Sequence, residues 1–563
     1  MNGHRQGRLR RSRALAAGAC AVVAVLAAAC SSSSPSAAPG AASAHLVVGT
    51  YGVAKGNVSS LTWDLPFGEP NTIDPPNTAD YSSSLIAGNL CDPLLRLNPN
   101  YSIGPNLATY RQPNPMTLVF NLHPGVKFWD GSTMTSADVV WSLDHAAAPS
   151  SAVAFTFFYV RSIKATGPLQ VTINFKKPDS LFLFEMSTFV AMVQEARFAQ
   201  RAGSRLGSAS GKIMCSGPYE LTSWTPGSGM TLTANPHYWN PANRAHAHTI
   251  QIQFNTNSTS IAQALISGQL DGAYEVSPAT IPRLRAASSG KLIFGAPSQL
   301  YLTLNVARPT GVLASLEVRK ALFMTINRQA IAKAAYYGAA IPNWTQANIG
   351  SWQNGSWPAA AQKIWSAAYA GFERQQKSWG TPAAFAAAKK LAAAGGYHGQ
   401  PIVLATLAGD ATLAEVAGLI QGWAREAGFN VQIKPMQPLA YSNASYNAKY
   451  RAGMDLLLGS TFNNAPNPLE PEGLTYFPGL PYNYTNYSNA KVTADLNAAR
   501  QTSNLVEQAR LMTDAQAIYE RAYNEMTLVQ FDEIMFLKKG LAGATTSFAY
   551  LNEPSLALIG KAK

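Results

Sequence analysis

Between Ala14 and Ala29 runs a stretch of small and apolar residues, preceded by Arg5, Arg8, Arg10, Arg11 and Arg13 and followed at once by Cys30. No other feature constrains the chain as much, because this opening sets the compartment in which the rest must fold. The stretch is shorter than the roughly twenty residues that a bilayer-spanning helix needs. It ends in Ala27-Ala28-Ala29, small residues suited to signal cleavage. Arg10-Arg11 lacks the flanks of a twin-arginine signal, so ordinary Sec export is expected. Ser31 to Ala44 consist entirely of Ser, Ala, Pro and Gly, a flexible tether that cannot build a core. No later apolar run approaches membrane-spanning length, so a water-soluble body is expected to follow.

Small residues followed by cysteine resemble a bacterial lipobox, in which the thiol of Cys30 would be diacylated and become the new N-terminus. Ala27 stands where Leu is usual, with Leu26 one residue earlier. The expectation is a leader over 1–29, a lipidated Cys30 with its tether over 30–44, and attachment to the membrane by lipid only. Of the four cysteines, Cys20 leaves with the leader. Cys91 and Cys215 remain, an even pair in an oxidising space, open to a disulfide or to two separate buried thiols.

The 563 residues correspond to three or four domain-sized units, and 47% hydrophobic content with eleven tryptophans argues against disorder. The net charge of +13 falls to +8 once the five leader arginines are set aside, and no dense Lys/Arg stripe follows. Nucleic acid is therefore not the expected partner.

The body reads as mixed α/β. Thr117 to Leu122 is a strand, and the Asp130-Gly131 turn predicts a tight hairpin across Phe128 to Thr133. Thr135-Ser136-Ala137-Asp138 has the form of a capping box ahead of a helix. Pro401 to Thr406, a helix carrying Leu413, Val416, Ala417 and Ile420 and ending at Gly428, and Asn430 to Ile433 make a β-α-β unit. Further helices are expected over Phe385 to Ala394 and, unbroken, over Leu316 to Ile331.

Ordered blocks then resemble the family 5 extracellular solute-binding proteins, the dipeptide, oligopeptide and nickel-binding components of ABC importers. Ile73-Asp74-Pro75, Asn89 to Leu95 and Gly104 to Ala108 come first. Gly125 to Gly131 with Thr135 to Ser142 is the most specific block, close to "GVKFHDG…TAEDVVFS". Ser216 to Tyr219, Asn235 to Trp239, Ser267 to Asp271, Leu304-Asn305 and Val318 to Arg328 follow in order. The resemblance implies an α/β clamshell of two lobes, of the type II periplasmic-binding-protein-like kind. Lobe I would comprise 45–300 plus 536–563, with an inserted subdomain over about 96–210, and lobe II 301–535. Chain crossings near Gln299-Leu300-Tyr301 and Met535-Phe536 would be the hinge.

It further implies an exported monomer on the outer face of the cell membrane. That monomer would capture a peptide or peptide-like solute and hand it to ABC permease subunits with cytoplasmic ATPases. A receptor for a non-peptide solute (a metal chelate, a glycoside or another small molecule) stays open on the same scaffold. So does a sensory or scavenging receptor without its own permease. An exported lipoprotein hydrolase is the rival from another class, but no HExxH, CxxC or GxSxG occurs. Gly207 to Lys212 has the wrong spacing for a P-loop, and Ser288 to Lys291 is an isolated S-x-x-K. His246 and His248 read as a surface pair, so no metal or cofactor is expected.

Ligand contact is expected from Glu69, Pro70 and Asn71, from Ser216 and Gly217 in the loop that faces the cleft in the family, and from Tyr301 and Asn305. Trp344, in the tryptophan-rich stretch with Trp352, Trp357, Trp365 and Trp379, is a further candidate, against a packed cluster as the plainer reading. Phe462, Asn463 and Asn464 lie where peptide binders of the family resemble "W-x-x-D-Y-P-D-P", whose first Asp anchors the peptide ammonium. An amide at Asn464 forfeits a charged hydrogen bond of about 1.5–3 kcal/mol. Either the ammonium is met elsewhere or the ligand lacks one.

Overall fold

The computed structural model describes residues 49–563 apart from 79, 296–298, 354–355, 466 and 481. The leader, Cys30 and the tether lie outside the described residues. No helix among those described is long and apolar enough to cross a membrane.

Two large sheets organise the body. The first has seven strands, in the order Gly290–Gly295, Glu533–Lys538, Gly272–Ala273, Val58–Asp64, Ala247–Gln253, Gly229–Ala234 and Tyr219–Thr225. The second has six, in the order Ala340–Pro342, Glu525–Phe531, Leu300–Val306, Leu456–Phe462, Pro401–Leu407 and Asn430–Met436. A separate four-stranded antiparallel sheet spans Ala108 to Phe175, with helix Ser136–Ala147 against it. Both large sheets mix parallel and antiparallel pairs: Val58–Asp64 runs parallel to Ala247–Gln253, and Pro401–Leu407 parallel to Asn430–Met436.

Local chemistry explains the elements. Asp410 accepts from Leu413 N at 2.9 Å and starts helix Ala411–Glu426, and Gly428 takes the positive φ that follows the helix end. Asp138 accepts from Thr135 N at 2.9 Å, the return half of the capping box. The Asp130-Gly131 turn forms, but Lys127 and Thr133 make a single bridge, so it is a tight turn rather than an extended hairpin.

Two boundaries differ from expectation. Leu316 to Ile331 is not one helix: Leu316–Met324 ends, and Arg328–Ala334 restarts after Asn327. The Asn327 side chain accepts from Ala330 N at 2.9 Å while its backbone is extended, so the amide caps a new helix instead of continuing the old one. The second crossing falls at Asp532, not at Met535-Phe536. The whole of Glu533–Lys538 pairs with Gly290–Gly295 in the first sheet, and its Ile534 and Phe536 pack beside Phe294.

Cys91 and Cys215 are joined in a disulfide (S–S 1.98 Å, Cα–Cα 5.0 Å). It ties the end of helix Tyr81–Leu90 to the segment that enters strand Tyr219–Thr225.

Candidate functional site

A cavity of about 940 Å³ opens between the two large sheets. Strands and helix starts of the second sheet form one wall, with Asn305, Asp410, Phe462, Asn464 and Glu470 on it. The first lobe supplies the other, with Glu69, Asn71, Asp80, Glu185 and Glu275. Tyrosines 81, 336, 441, 446, 482 and 484 fill much of the remaining surface. No Lys, Arg or His lines the cavity among the described residues.

The expected ligand residues divide into three groups. Glu69, Asn71, Asn305, Phe462 and Asn464 line the cavity. Tyr301 and Asn463 sit behind the wall beside a much smaller space of about 30 Å³, with Tyr301 OH donating to Asn463 Oδ1 at 3.3 Å. Pro70 is buried next to the cavity residues without lining the cavity itself.

Ser216, Gly217 and Trp344 lie elsewhere, which corrects the expectation for them. Ser216 Oγ donates to buried Asp92 at 3.0 Å, and a Cβ on Gly217 would come within 2.3 Å of the Leu90 carbonyl. Small residues in that loop therefore serve close packing against the preceding helix. Trp344 is buried under Arg328, whose guanidinium carbon lies 4.8 Å from its ring centroid. The other tryptophans likewise pack internally: Trp352 stacks on Trp365 at 6.3 Å, and Trp357 meets Trp365 edge-on at 5.9 Å. The histidines do not converge, since His246 bonds Asn57 and His248 bonds Thr249.

Five carboxylates on the wall were missed by the sequence reading. Asp80 and Asp410 are helix N-caps, a role their sequence context does signal. Glu275 accepts from Tyr550 OH at 2.7 Å. Glu470 accepts from Asn464 Nδ2 at 3.1 Å and from Ala465 N at 2.7 Å, so a carboxylate does stand at the corner where Asn464 replaces the expected acid. Glu185 closes the short helix Phe182–Glu185, a lone acid in the apolar run Leu181 to Met186.

Burial raises the proton affinity of all five. Asp80 and Asp410 are shifted upward by desolvation against the pull of their capping bonds. Desolvation lifts Glu275 to about 7. Glu185 is pushed well above the usual carboxylate range, first by burial and then by the charge of Glu470.

With a two-lobed body and an interlobe cavity in place, the comparisons are decisive. The family model described as bacterial extracellular solute-binding proteins, family 5 Middle, matches residues 102–497. The chain belongs to that family. Among curated relatives, it is 25% identical over 485 residues to the glutathione-binding protein GsiB of Salmonella typhimurium, covering 84% of this chain and 89% of that one. Protein XP55 of Streptomyces lividans is 27% identical over 229 residues, 40% of this chain and 41% of that protein. Among solved structures, the oligopeptide-binding protein AppA of Bacillus subtilis, in complex with a nonapeptide, superposes with a TM-score of 0.75. It is 16% identical and covers 90% of this chain and 100% of that one, a likeness of fold. The protein is thus an extracellular solute-binding protein with the two-lobed α/β fold of its family.

Proposed function

We propose that the protein is the capture component of an ABC importer for a peptide or peptide-like solute, held between the lobes and released to the permease without any bond being made or broken. The observation that carries this reading is the cavity of about 940 Å³ with Glu470 at its second-lobe corner. There the carboxylate takes the place of the acid that Asn464 lacks and meets a peptide ammonium, with Asn464 and Ala465 N orienting it. The relatives named for glutathione and oligopeptide binding favour the same class of cargo. Family membership supports partnership with permease and ATPase subunits. The leader and Cys30 support export and a lipid anchor at the outer face of the membrane. Closure around the ligand is how a permease distinguishes loaded from empty receptor.

The test is native mass spectrometry of the chain from Ser31 onward, purified without denaturant, followed by release and sequencing of whatever is bound. A mixture of peptides is expected. A single non-peptide mass would remove the peptide label while leaving the solute-binding role in place.

A further inference from the structure

We propose that Glu185 and Glu470 form one cation seat spanning the cleft, so that the cargo carries a second cation, a side-chain ammonium or guanidinium that lies between the two carboxylates beside the α-ammonium that Glu470 meets. The inference rests on the reading of this cavity as the solute site, and it specifies the cargo.

Among the described residues, every ionisable wall residue other than tyrosine is an acid: Glu69, Asp80, Glu185 and Glu275 from one lobe, Asp410 and Glu470 from the other. This is not a matter of composition, since the chain has 43 Lys and Arg against 30 Asp and Glu. Most of these acids have work inside the fold. Asp80 and Asp410 cap helices, Glu69 accepts from Trp224 Nε1 at 2.7 Å and Gly227 N at 2.8 Å, and Glu275 accepts from Tyr550.

Glu185 is different. It is 3% exposed, lines the cavity, and its carboxylate makes no hydrogen bond or ion pair among the described residues. The guanidinium whose field reaches it, Arg500, is already held by Asp179 at 2.9 and 2.7 Å and by the Thr156 carbonyl at 3.2 Å. A buried carboxylate without a partner is disfavoured in its ionised form, and a cation beside it removes that penalty. Glu470 lines the same cavity from the second lobe, and each of its oxygens accepts one hydrogen bond, which leaves acceptor capacity on both. Without a cation, ionising both groups is opposed by their like charge, so the pair keeps a proton. With one seated between them, each lobe is drawn to the same positive group, so ligand charge and closure become one event.

The experiment uses ligand-stripped protein from Ser31 onward, calorimetry at pH 8, and four probes. Three are C-terminally amidated tetrapeptides that differ at one place, Ala-Arg-Ala-Ala, Ala-Gln-Ala-Ala and Ala-Glu-Ala-Ala, and the fourth is agmatine. The arginyl peptide is expected to bind at least tenfold tighter than the glutaminyl peptide, and the glutamyl peptide at least tenfold weaker still. In Glu185→Gln, and separately in Glu470→Gln, the arginyl-to-glutaminyl ratio falls toward one, with a cooperative melt showing that each variant is folded. Three peptides of equal affinity, or a ratio unchanged in both folded variants, would overturn the cation seat and leave the peptide reading standing. Binding of agmatine alone would keep the seat and overturn the peptide reading. Binding of none of the four would overturn both.

Discussion

Asp92 and Glu185 are buried to nearly the same depth in the first lobe, 2% and 3% exposed, yet their surroundings differ completely. Asp92 follows the disulfide cysteine Cys91 and accepts from Ser216 Oγ at 3.0 Å, Tyr238 OH at 2.8 Å and Trp239 Nε1 at 2.9 Å. Those donors offset part of its desolvation, and together with the Cys91–Cys215 bridge they fasten three chain segments. Glu185 has no such donors and faces a cavity. Depth alone therefore does not mark a binding group. What separates the two acids is hydrogen-bonding capacity left unused inside the fold.

If the Asp92 hub is structural, variants there must lower stability without moving ligand preference. The largest effect is expected from Cys91→Ser with Cys215→Ser. The bridge closes a loop of 124 residues, and its loss costs about 4–5 kcal/mol, read as the shift of a denaturant midpoint. Arg500→Met, outside that hub, comes next. It leaves Asp179 buried and uncompensated across the two lobes, a loss of about 3–5 kcal/mol by the same measurement. Asp92→Ala strands three donors and costs about 3 kcal/mol. Were Asp92→Ala instead to leave the melt in place and shift the arginyl preference, the contrast between the two acids would collapse.

Much of the fold was legible because its signals are local. The capping acids, the β-α-β unit ending at Gly428 and the ordered family blocks each need only a few neighbouring residues. The misplaced second crossing shows the limit. Phe531 and Ile534 are both apolar, and only the pairing of Glu533–Lys538 with Gly290–Gly295 assigns that strand to the first sheet. The site was half legible for the same reason. Phe462 and Asn464 could be placed through the family block, whereas Ser216 and Trp344 have surface-loop composition but pack inward through partners far along the chain. Glu185 did carry a signal, a single acid among Phe182, Leu183, Phe184 and Met186. Its meaning needed Glu470, 285 residues away, to be brought to the same cavity.

The smallest effect is the most discriminating. Burial and the charge of Glu470 hold Glu185 well above its ordinary range, and burial lifts Glu470 to about 7. The folded chain thus keeps protons on these groups that the unfolded chain sheds near a glutamate pKa of about 4.3. Their contribution to stability is full at low pH and is lost as pH rises from there through the folded values. The charged groups acting on Glu185 are Glu470, Arg500 and Asp179, and only Glu470 faces it from the cavity wall. Unliganded protein should therefore lose stability as pH rises from about 4.3 through about 7. Glu185→Gln should lose less, because it removes one titrating acid and relieves Glu470 of its like-charged neighbour. At pH 8 the variant is expected to be more stable than the parent, read as a higher denaturant midpoint. Glu275 and Glu533 titrate in both proteins, so they cancel in the difference. A cationic ligand reverses the slope, since it favours the ionised pair and stabilises the complex more strongly as pH rises. Parallel stability curves for parent and variant would mean that Glu185 ionises as freely as an exposed acid, and its distinction from Asp92 would then lie in packing alone.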